Sequence, residues 1–570
     1  MHLTNTNMLP KFYEIPRTTI LLLAVLALAA FFRFWQLDLI PPGLYPDVAI
    51  NGNEALSNPG QIFYPENNGR EGLMINLIAL SFALFGISVW SIKAVAAIFG
   101  TLTVLGTYLL TKELFSQSAP GGLENKAREQ NETVALLSSF FLAISFWHVN
   151  FSRFGFRAIL LSFVLVFSFY FLFRGFRMAR VFDLIAAAIF FGLGFYTYSS
   201  FRVAVLLLPL PIISFWLLSR KEKWQKKFFI LSFLFLAIIF FVALPIGLYF
   251  LSHPADFASR AAPISVFAQE NPIQAFLISF VRHLAMFNMW GDPNWRHNYS
   301  GSPQLLWPVG FLFLIGLVAT LKKLAQKNMP AQFLVNKAEK HSNILQNVRM
   351  FFCHRNADSL PYLFLLSWFF IFLLPGALTY EGLPHSLRTI GVIPVPYIFA
   401  AIGGWTMWQW LLAKNVRKKL LLFSAFFFLA MLAFAEYNKY FILWGQNKET
   451  EGAFTKSYVE IGNYLNSLPE RTKKYVIVNE GGVPVPLPDG LPMPAQTPMF
   501  IERTKYGEPR AIYLKPENLD AIVPAAATII VPMKDDESLF SILSQKFLQG
   551  KITTENGITV FNLGLPAEVP

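Results

Sequence analysis

Apolar stretches long enough to cross a lipid bilayer recur along the first 445 residues of the chain, and they rule out an ordinary soluble domain. A spanning helix needs about 20 predominantly apolar residues. Eleven such segments are predicted, at residues 18–37, 90–110, 133–149, 157–173, 184–200, 203–218, 228–251, 305–321, 360–378, 391–412 and 420–443. With 54% hydrophobic and only 14% charged residues, the chain is predicted to be an α-helical polytopic membrane protein.

The distribution of Lys and Arg predicts the orientation of these segments. With a cytoplasmic N-terminus, the cytoplasmic loops hold 24 basic residues, against ten in the outward loops. An odd number of spans then places residues 446–570 outside the cytoplasm. This tail holds 12 Lys and Arg against 15 Asp and Glu. The net charge of +13 therefore reflects membrane topology, and no nucleic-acid partner is expected.

Two domains are predicted from this layout. Residues 1–445 form the transmembrane domain, and residues 446–570 form a small extracytoplasmic α/β domain. In the second domain, alternating apolar residues predict strands at 475–478, 528–531 and 558–561. Helices are predicted at 457–465 and 538–547, with a Pro-rich loop at 483–498.

The first outward loop, residues 38–89, carries carboxylates at the membrane boundary. Asp47 lies just beyond the end of the first span, and Glu54 follows two helical turns later on about the same face. An apolar stretch at 73–85 is too short to span, so it is predicted to be a helix lying in the membrane interface. Carboxylates at such a depth are costly unless they are paired or used. The structural alternative is that Asp47 caps a short helix.

Further polar clusters lie on the same outward side. Arg153 and Arg157 are four residues apart and would share a helix face, which suits binding of a phosphate. Snorkelling to lipid headgroups is the alternative for each of them. His148, Tyr198 and Arg202 lie near outward span ends, and residues 290–298 and 380–388 add more aromatic, acidic and basic side chains. An aromatic belt explains Tyr198 without a substrate. The concentration of acids, guanidinium groups and aromatic rings on one membrane face nevertheless indicates a functional site there.

The segments 46–55 and 66–71 resemble the bacterial membrane glycosyltransferases of the GT-C superfamily. The nearest branch is similar to the protein O-mannosyltransferases and the lipid A aminoarabinose transferases, families 39 and 83. Further matching segments are 82–86, 147–153, 194–199, 291–298 and 381–388. The likeness runs through most of the first 400 residues, and the order and spacing of the segments make it specific.

This resemblance implies an inverting transfer of a sugar from a polyprenyl-phosphate donor to a protein, lipid or glycan acceptor, at the outer face of a bacterial cytoplasmic (inner) membrane. It implies that Asp47 is the catalytic base and that Arg70 meets the lipid phosphate. Such a reaction needs one carboxylate to deprotonate the acceptor and cationic groups to stabilise the leaving phosphate. Catalytic roles are predicted for Asp47 and Glu54, and substrate or lipid-headgroup contacts for Arg70, Glu71, His148, Arg153, Arg157, Tyr198, Arg202, His385 and Arg388.

Two other classes of function remain open at this stage. A transporter or lipid flippase would also be an Arg-bearing helical bundle, although transporters usually place their polar residues at mid-membrane. A catalytically silent scaffold is the other alternative, because Val48 stands where many relatives have a second acidic residue after the Asp. Glu54 or Glu71 is the candidate substitute for that residue. No cofactor is predicted: a divalent metal is compatible with the superfamily, but no ligand set of convincing spacing is present.

Overall fold

The structure is a computed structural model that describes residues 16–116, 124–218, 222–258, 264–325, 359–485, 490–525 and 527–563. The α-helices of the membrane part are α1 Arg17–Phe34, α2 Pro46–Ser57, α3 Leu73–Phe85, α4 Val89–Leu114, α5 Glu124–Ile144, α6 Phe146–Phe151, α7 Ile159–Met178, α8 Val181–Gly194, α9 Pro209–Leu218, α10 Glu222–Ser252, α11 Pro254–Ala258, α12 Pro272–Ala285, α13 Trp307–Ala325, α14 Leu360–Ala377, α15 Val395–Ala413 and α16 Lys418–Tyr437. A 3₁₀ helix, Ser199–Leu207, precedes α9, and a π-helical turn, Asn438–Trp444, follows α16.

Nine helices within the described residues are long and apolar enough to cross a membrane. The predicted multi-pass membrane protein is therefore confirmed. All eleven predicted segments fall on helices, but two of these helices are not among the nine. Helix α5 begins with a charged stretch, and α8 has 14 residues, about 21 Å of helix against a hydrocarbon core of about 30 Å. The number eleven stays a prediction, and so does the orientation, since many of the counted basic residues, including those at 326–358, lie outside the described residues.

Close helix packing in the bundle depends on small residues. Helices α13 and α15 meet at Gly316 and Gly403, where a Cβ atom on Gly316 would lie 1.8 Å from the carbonyl oxygen of Phe399. A Cβ atom on Gly403 would lie 1.9 Å from the carbonyl oxygen of Leu312. Any larger residue at either position would push the two helices apart, as is general where membrane helices approach through glycine.

Residues 38–89, the predicted first outward loop, fold into two helices and a short hairpin. Helix α2 leads to the strands β1 Phe63–Tyr64 and β2 Arg70–Glu71, which pair in antiparallel fashion, and α3 follows. The predicted helix at 73–85 is present with those bounds. The turn between the strands places Asn67, Asn68 and Gly69 at positive φ, a conformation that Asn and Gly adopt at low cost.

The C-terminal part is a small α/β domain, which confirms the predicted fold class. Its strands are β3 Lys473–Ile477, β4 Pro484–Val485, β5 Leu491–Pro492, β6 Ile512–Leu514, β7 Thr528–Pro532, β8 Lys551–Glu555 and β9 Ile558–Asn562. Its helices are α17 Lys448–Ala453, α18 Lys456–Ser467, α19 Gln496–Tyr506 and α20 Glu537–Lys546. The main sheet has the order β6-β3-β7-β9-β8, parallel from β6 to β7 and antiparallel from β7 to β8. The three predicted strands are present, whereas the boundary at residue 446 stays a prediction.

The predicted Pro-rich loop at 483–498 is more ordered than expected. Strands β4 and β5 pair within it, and α19 begins at Gln496, before the predicted end of the loop. Residues 486–489 of this segment lie outside the described residues. Local sequence favoured a loop because six prolines stand between 484 and 498, yet packing against the first outward loop gives the segment its structure.

Candidate active site

Asp47 lies in the first turn of α2. Pro46 begins the helix, where its fixed φ angle suits the first position and its missing N–H costs nothing. The first-turn N–H groups give this end a partial positive charge that stabilises the Asp47 carboxylate. The side chain is half-buried, and Oδ1 accepts a hydrogen bond of 2.9 Å from Nδ2 of Asn67. Among the described residues no Lys or Arg forms a salt bridge with it, so the carboxylate keeps a lone pair available as a base.

Arg70 is fully buried and binds the helix that carries Asp47. Its Nη1 donates to Oδ1 of Asn51 at 2.7 Å, its Nη2 to Oε1 of Glu54 at 2.5 Å, and its Nε to the carbonyl of Glu66 at 3.2 Å. Burial disfavours the charged form of both side chains. It raises the pKa of Glu54, although the adjacent Arg70 opposes this rise, and it lowers the pKa of Arg70. The structure therefore pairs two predicted site residues with each other. This ion pair holds the β-hairpin against α2.

A second ion pair lies beside the first. The Nε of Arg157 donates to Oε2 of Glu71 at 2.9 Å, with both side chains about 5% exposed. The guanidinium of Arg157 also lies over the ring of Tyr198, 5.4 Å from its centroid. The structure thus brings Glu71, Arg157 and Tyr198 together, as expected of a common site. Arg202 lies at its edge, where it donates a hydrogen bond to the carbonyl of Phe257.

Arg153 and His148 are buried behind the site. The guanidinium of Arg153 donates to the backbone carbonyls of Phe32, Trp35, Gln36 and Ile40, at 2.6 to 3.2 Å. The Nδ1 of His148 accepts from Nη2 of Arg33 at 2.7 Å. These two residues therefore tie α6 and the turn that follows it to α1 and to the chain just after α1. Their predicted contacts with substrate stay predictions, and the structure shows that both side chains have a packing role.

His385 and Arg388 belong to a neighbouring cluster. Arg388 donates to Oε2 of Glu381 at 2.7 Å and to Oγ1 of Thr379 at 3.0 Å. The imidazole rings of His385 and His297 lie 4.8 Å apart, between centroids. Asp292 accepts from His297 Nδ1 at 3.0 Å. Burial alone would raise the pKa of Asp292, but the hydrogen bond and charge of His297, with the help of His385, lower it to about 2.

This second cluster joins the first through short contacts. Oγ of Ser200, between Tyr198 and Arg202 in the chain, donates to the carbonyl of Arg388 at 3.2 Å. On the other side, the guanidinium of Arg296 lies 3.9 Å from the centroid of the Tyr45 ring, two residues before Asp47. Its terminal nitrogens donate no hydrogen bond to the residues that the structure describes. Arg296 is thus a cation at the site that still has donors to offer.

Sequence reasoning missed Arg296 and the two neutral anchors, Asn51 and Asn67. The signal for Arg296 was the segment 290–298, which was noted but not assigned to the site. Asn51 and Asn67 gave no signal of their own, because neutral amides in loops are usually turn formers. Asp292, His297 and His385 also form a group that could hold a metal ion, with one ligand atom of each within 4.8 Å of the others. The sequence does not reveal this group, because His385 lies in a different loop, far along the chain from Asp292 and His297.

The C-terminal domain packs directly on the back of α2. Nδ2 of Asn53 donates to the carbonyl and to Oε1 of Gln496, at 3.0 and 2.9 Å. Phe500 of α19 is fully buried and stacks on Phe82 of α3 with 5.9 Å between ring centroids. A Cβ atom on Gly52 would lie 2.6 Å from the Phe500 ring, so only glycine allows this approach. Helix α19 therefore fixes the position of α2.

Comparisons with known proteins agree with this architecture. A family model described as dolichyl-phosphate-mannose-protein mannosyltransferase matches residues 125–246. The crystal structure of ArnT from Cupriavidus metallidurans bound to undecaprenyl phosphate is similar with a TM-score of 0.53 at 14% identity, covering 96% of this chain and 99% of that one. The apo state of the same protein gives 0.54 at 12% identity, with the same coverage. No curated protein matches the sequence.

A third similar structure is the oligosaccharyltransferase of Archaeoglobus fulgidus, tethered with an acceptor peptide. It has a TM-score of 0.44 at 14% identity and covers 80% of this chain and 61% of that one. The ArnT likeness spans nearly the whole of both chains, including the C-terminal domain. The chain therefore has the fold of ArnT, and part of it matches the mannosyltransferase family model, so the predicted resemblance is confirmed.

Proposed function

We propose that this protein is a glycosyltransferase that moves a sugar from a polyprenyl-phosphate donor to the hydroxyl group of a protein, lipid or glycan acceptor. The proposal rests on the Asp47 carboxylate, which is half-buried in the first turn of α2 and accepts a hydrogen bond from the neutral amide of Asn67. The GT-C fold supports a transferase over a transporter or a scaffold. The similar ArnT structure was solved with undecaprenyl phosphate, which supports a donor of that class.

In this proposal Asp47 takes the proton of the acceptor hydroxyl as its oxygen attacks the anomeric carbon of the sugar. The new glycosidic bond forms while the bond from that carbon to the phosphate oxygen breaks. The bonding electrons leave with the polyprenyl phosphate, and the single displacement inverts the anomeric configuration. The leaving group is already anionic, so no general acid is required. Cationic donors that stabilise its growing charge are sufficient.

Arg296 and Arg202 are the proposed contacts for the donor phosphate. Arg70 and Arg157 are each compensated by a carboxylate at 2.5 and 2.9 Å, so most of their charge is already neutralised within the protein. Arg296 stacks on Tyr45, and its terminal nitrogens donate no hydrogen bond to any of the described residues. A planar guanidinium with two free N–H directions is well suited to a phosphate. Arg70 and Arg157 then shape the site and keep Glu54 and Glu71 from competing with Asp47 as bases.

We place the reaction at the outer face of a bacterial cytoplasmic membrane, with the N-terminus in the cytoplasm and the C-terminal domain outside. The support is the predicted excess of Lys and Arg on the opposite side of the membrane. The site described above is built from loops on the predicted outward side. A polyprenyl-phosphate headgroup lies at that interface, where interfacial arginines can reach it.

Transfer of labelled sugar tests the proposal. Purified wild type, Asp47→Asn and the control Asp520→Asn would be incubated in nanodiscs with polyprenyl-phosphate sugars and a cell-envelope extract as acceptor. Asp520 is fully exposed in the C-terminal domain, so its substitution controls for the chemistry of the change. Asp47→Asn is expected to reduce kcat by a factor of about 10² or more while binding of undecaprenyl phosphate is retained. Transfer at the wild-type rate by Asp47→Asn would refute the mechanism.

A further inference from the structure

Two outward loops bring together two imidazoles and one carboxylate. Asp292 and His297 lie between α12 and α13, and His385 lies between α14 and α15. One ligand atom from each lies within 4.8 Å of the other two. Two imidazoles and a carboxylate are a common ligand set for divalent transition metals, with a remaining position for water or substrate.

The carboxylate is oriented by donors that do not belong to the ligand set. Oδ2 of Asp292 accepts from the backbone N–H and from Oγ of Ser386, at 2.8 and 2.9 Å. Oδ1 accepts from the N–H of Asn294 at 2.9 Å. Asp292 is 1% exposed. Such outer hydrogen bonds, which fix the direction of a ligand, are typical of protein metal sites.

The geometry of the first two ligands is close to that of a bound ion. Oδ2 of Asp292 and Nδ1 of His297 are 3.0 Å apart. Two ligands at about 2.0 to 2.1 Å from a tetrahedral zinc are about 3.3 to 3.4 Å apart. A metal ion would take the place of the proton between these two atoms, and the ring would then carry its N–H on Nε2. The movement required of this pair is therefore a few tenths of an ångström.

His385 supplies the second, independent observation. Its Nδ1 is buried and finds no hydrogen-bond partner among the described residues. A buried ring nitrogen without a partner costs free energy unless a ligand satisfies it. The backbone N–H of His385 donates to Nε2 of His283 at 3.1 Å, which holds the loop beside the Asp292 carboxylate. The ring of His385 thus has an open coordination direction beside a carboxylate whose two oxygens are both hydrogen-bonded.

We propose that Asp292, His297 and His385 bind a divalent transition metal ion, with zinc as the ion. The ion joins the loop that carries Arg296 to the loop that carries Arg388. It lies outside the ion pairs around Asp47 and does not depend on the proposed transfer reaction. Its role is to fix the relative position of the two loops.

Metal content of the full-length chain tests this proposal. The protein would be purified through an affinity tag without histidine, incubated with zinc, exchanged into metal-free buffer and measured by mass spectrometry of the metal. About one zinc per chain is expected for wild type and for the control His253→Ala, whose imidazole is exposed and contacts Tyr249 and Ser252. Asp292→Asn and His385→Ala are expected to bind zinc at least about tenfold more weakly. Equal zinc retention by His385→Ala and wild type would overturn the proposal.

A spectroscopic readout protects the test against a misfolded variant. Cobalt(II) bound to two imidazoles and a carboxylate with low coordination number gives visible absorption bands, which hexaaqua cobalt nearly lacks. Titration of wild type with cobalt chloride should produce these bands, saturate at about one equivalent and be reversed by zinc. No visible band on wild-type protein, together with no retained zinc, would show that the three residues form only a hydrogen-bonded cluster.

Discussion

Breaking the buried Arg70–Glu54 pair is the perturbation whose size follows most directly from the structure. Arg70→Met removes three hydrogen bonds and leaves Glu54 unpaired, and Oε2 of Glu54 already has no hydrogen-bond partner among the described residues. Removing one partner of a buried ion pair typically costs about 3 to 5 kcal/mol. The hairpin and α2 should therefore open locally more often, by a factor of about 10² or more, since 1.4 kcal/mol corresponds to tenfold.

Hydrogen–deuterium exchange of peptides covering Pro46–Ser57 and Arg70–Glu71 would measure this opening. Glu54→Gln in the Arg70→Met background removes the unpaired charge, so the double variant should exchange more slowly than the sum of the two single effects predicts. Arg202→Met is the matched control, because the guanidinium of Arg202 hydrogen-bonds only the carbonyl of Phe257 among the described residues. Its loss should change the free energy of local opening by less than about 1 kcal/mol. Additive effects in the double variant, or unchanged exchange in Arg70→Met, would refute the role of the pair.

The same pair predicts a dependence on pH. Burial raises the pKa of Glu54 above its usual value of 4.5, and the charge of Arg70 and its hydrogen bond oppose this rise. A group with a raised pKa contributes stability below its unfolded pKa and loses it as the pH rises through the folded value. Without Arg70 the pKa rises further. The penalty of Arg70→Met should therefore be smaller near pH 5 than at pH 8, and the opposite trend would contradict the assignment.

Two further predictions concern the edges of the site. Arg296→Leu is expected to lower kcat/KM for the lipid donor about tenfold or more, because it removes one charge-assisted hydrogen bond that strengthens as the phosphate leaves. Initial rates at varied donor concentration measure this, and an unchanged kcat/KM would contradict a phosphate contact. Phe500→Ala is expected to destabilise the contact between α19 and α2 by about 3 to 5 kcal/mol. Hydrogen–deuterium exchange of the Pro46–Ser57 peptide measures this effect. Phe267→Ala is the control, because the Phe267 side chain is 73% exposed. Equal effects of these two alanine substitutions would contradict the packing role of Phe500.

Periodicity and length made the membrane segments and the strands of the C-terminal domain predictable. The helix at 73–85 and the strand at 528–531 were found because their apolar patterns are local properties of the sequence. Helix α8 shows the limit of that approach. Its apolar pattern continues past Gly194 into 195–198, but the helix itself ends there.

The arrangement of the site was only partly predictable. Asp47 and Arg70 were identified through the resemblance of their segments to a superfamily, but the pairing of Arg70 with Glu54 depends on how a hairpin folds back on a helix. Arg153 has the same sequence signature as a phosphate-binding arginine, yet its donors are occupied by backbone carbonyls more than 100 residues away. Contacts between residues so far apart in the sequence leave no periodic pattern in it. The grouping of His385 with Asp292 was missed for the same reason.

The packing of α19 on α2 gives the protein a built-in order of maturation. Asn53 and its partner Gln496 are 443 residues apart, so α2 leaves the ribosome long before the segment that supports it. A chain folding from its N-terminus can insert its membrane helices first, but the surface of α2 around Gly52 stays uncovered until the last quarter has been made. Catalytic competence would then be acquired only at the end of synthesis. Polypeptides released early would be integrated in the membrane and inactive.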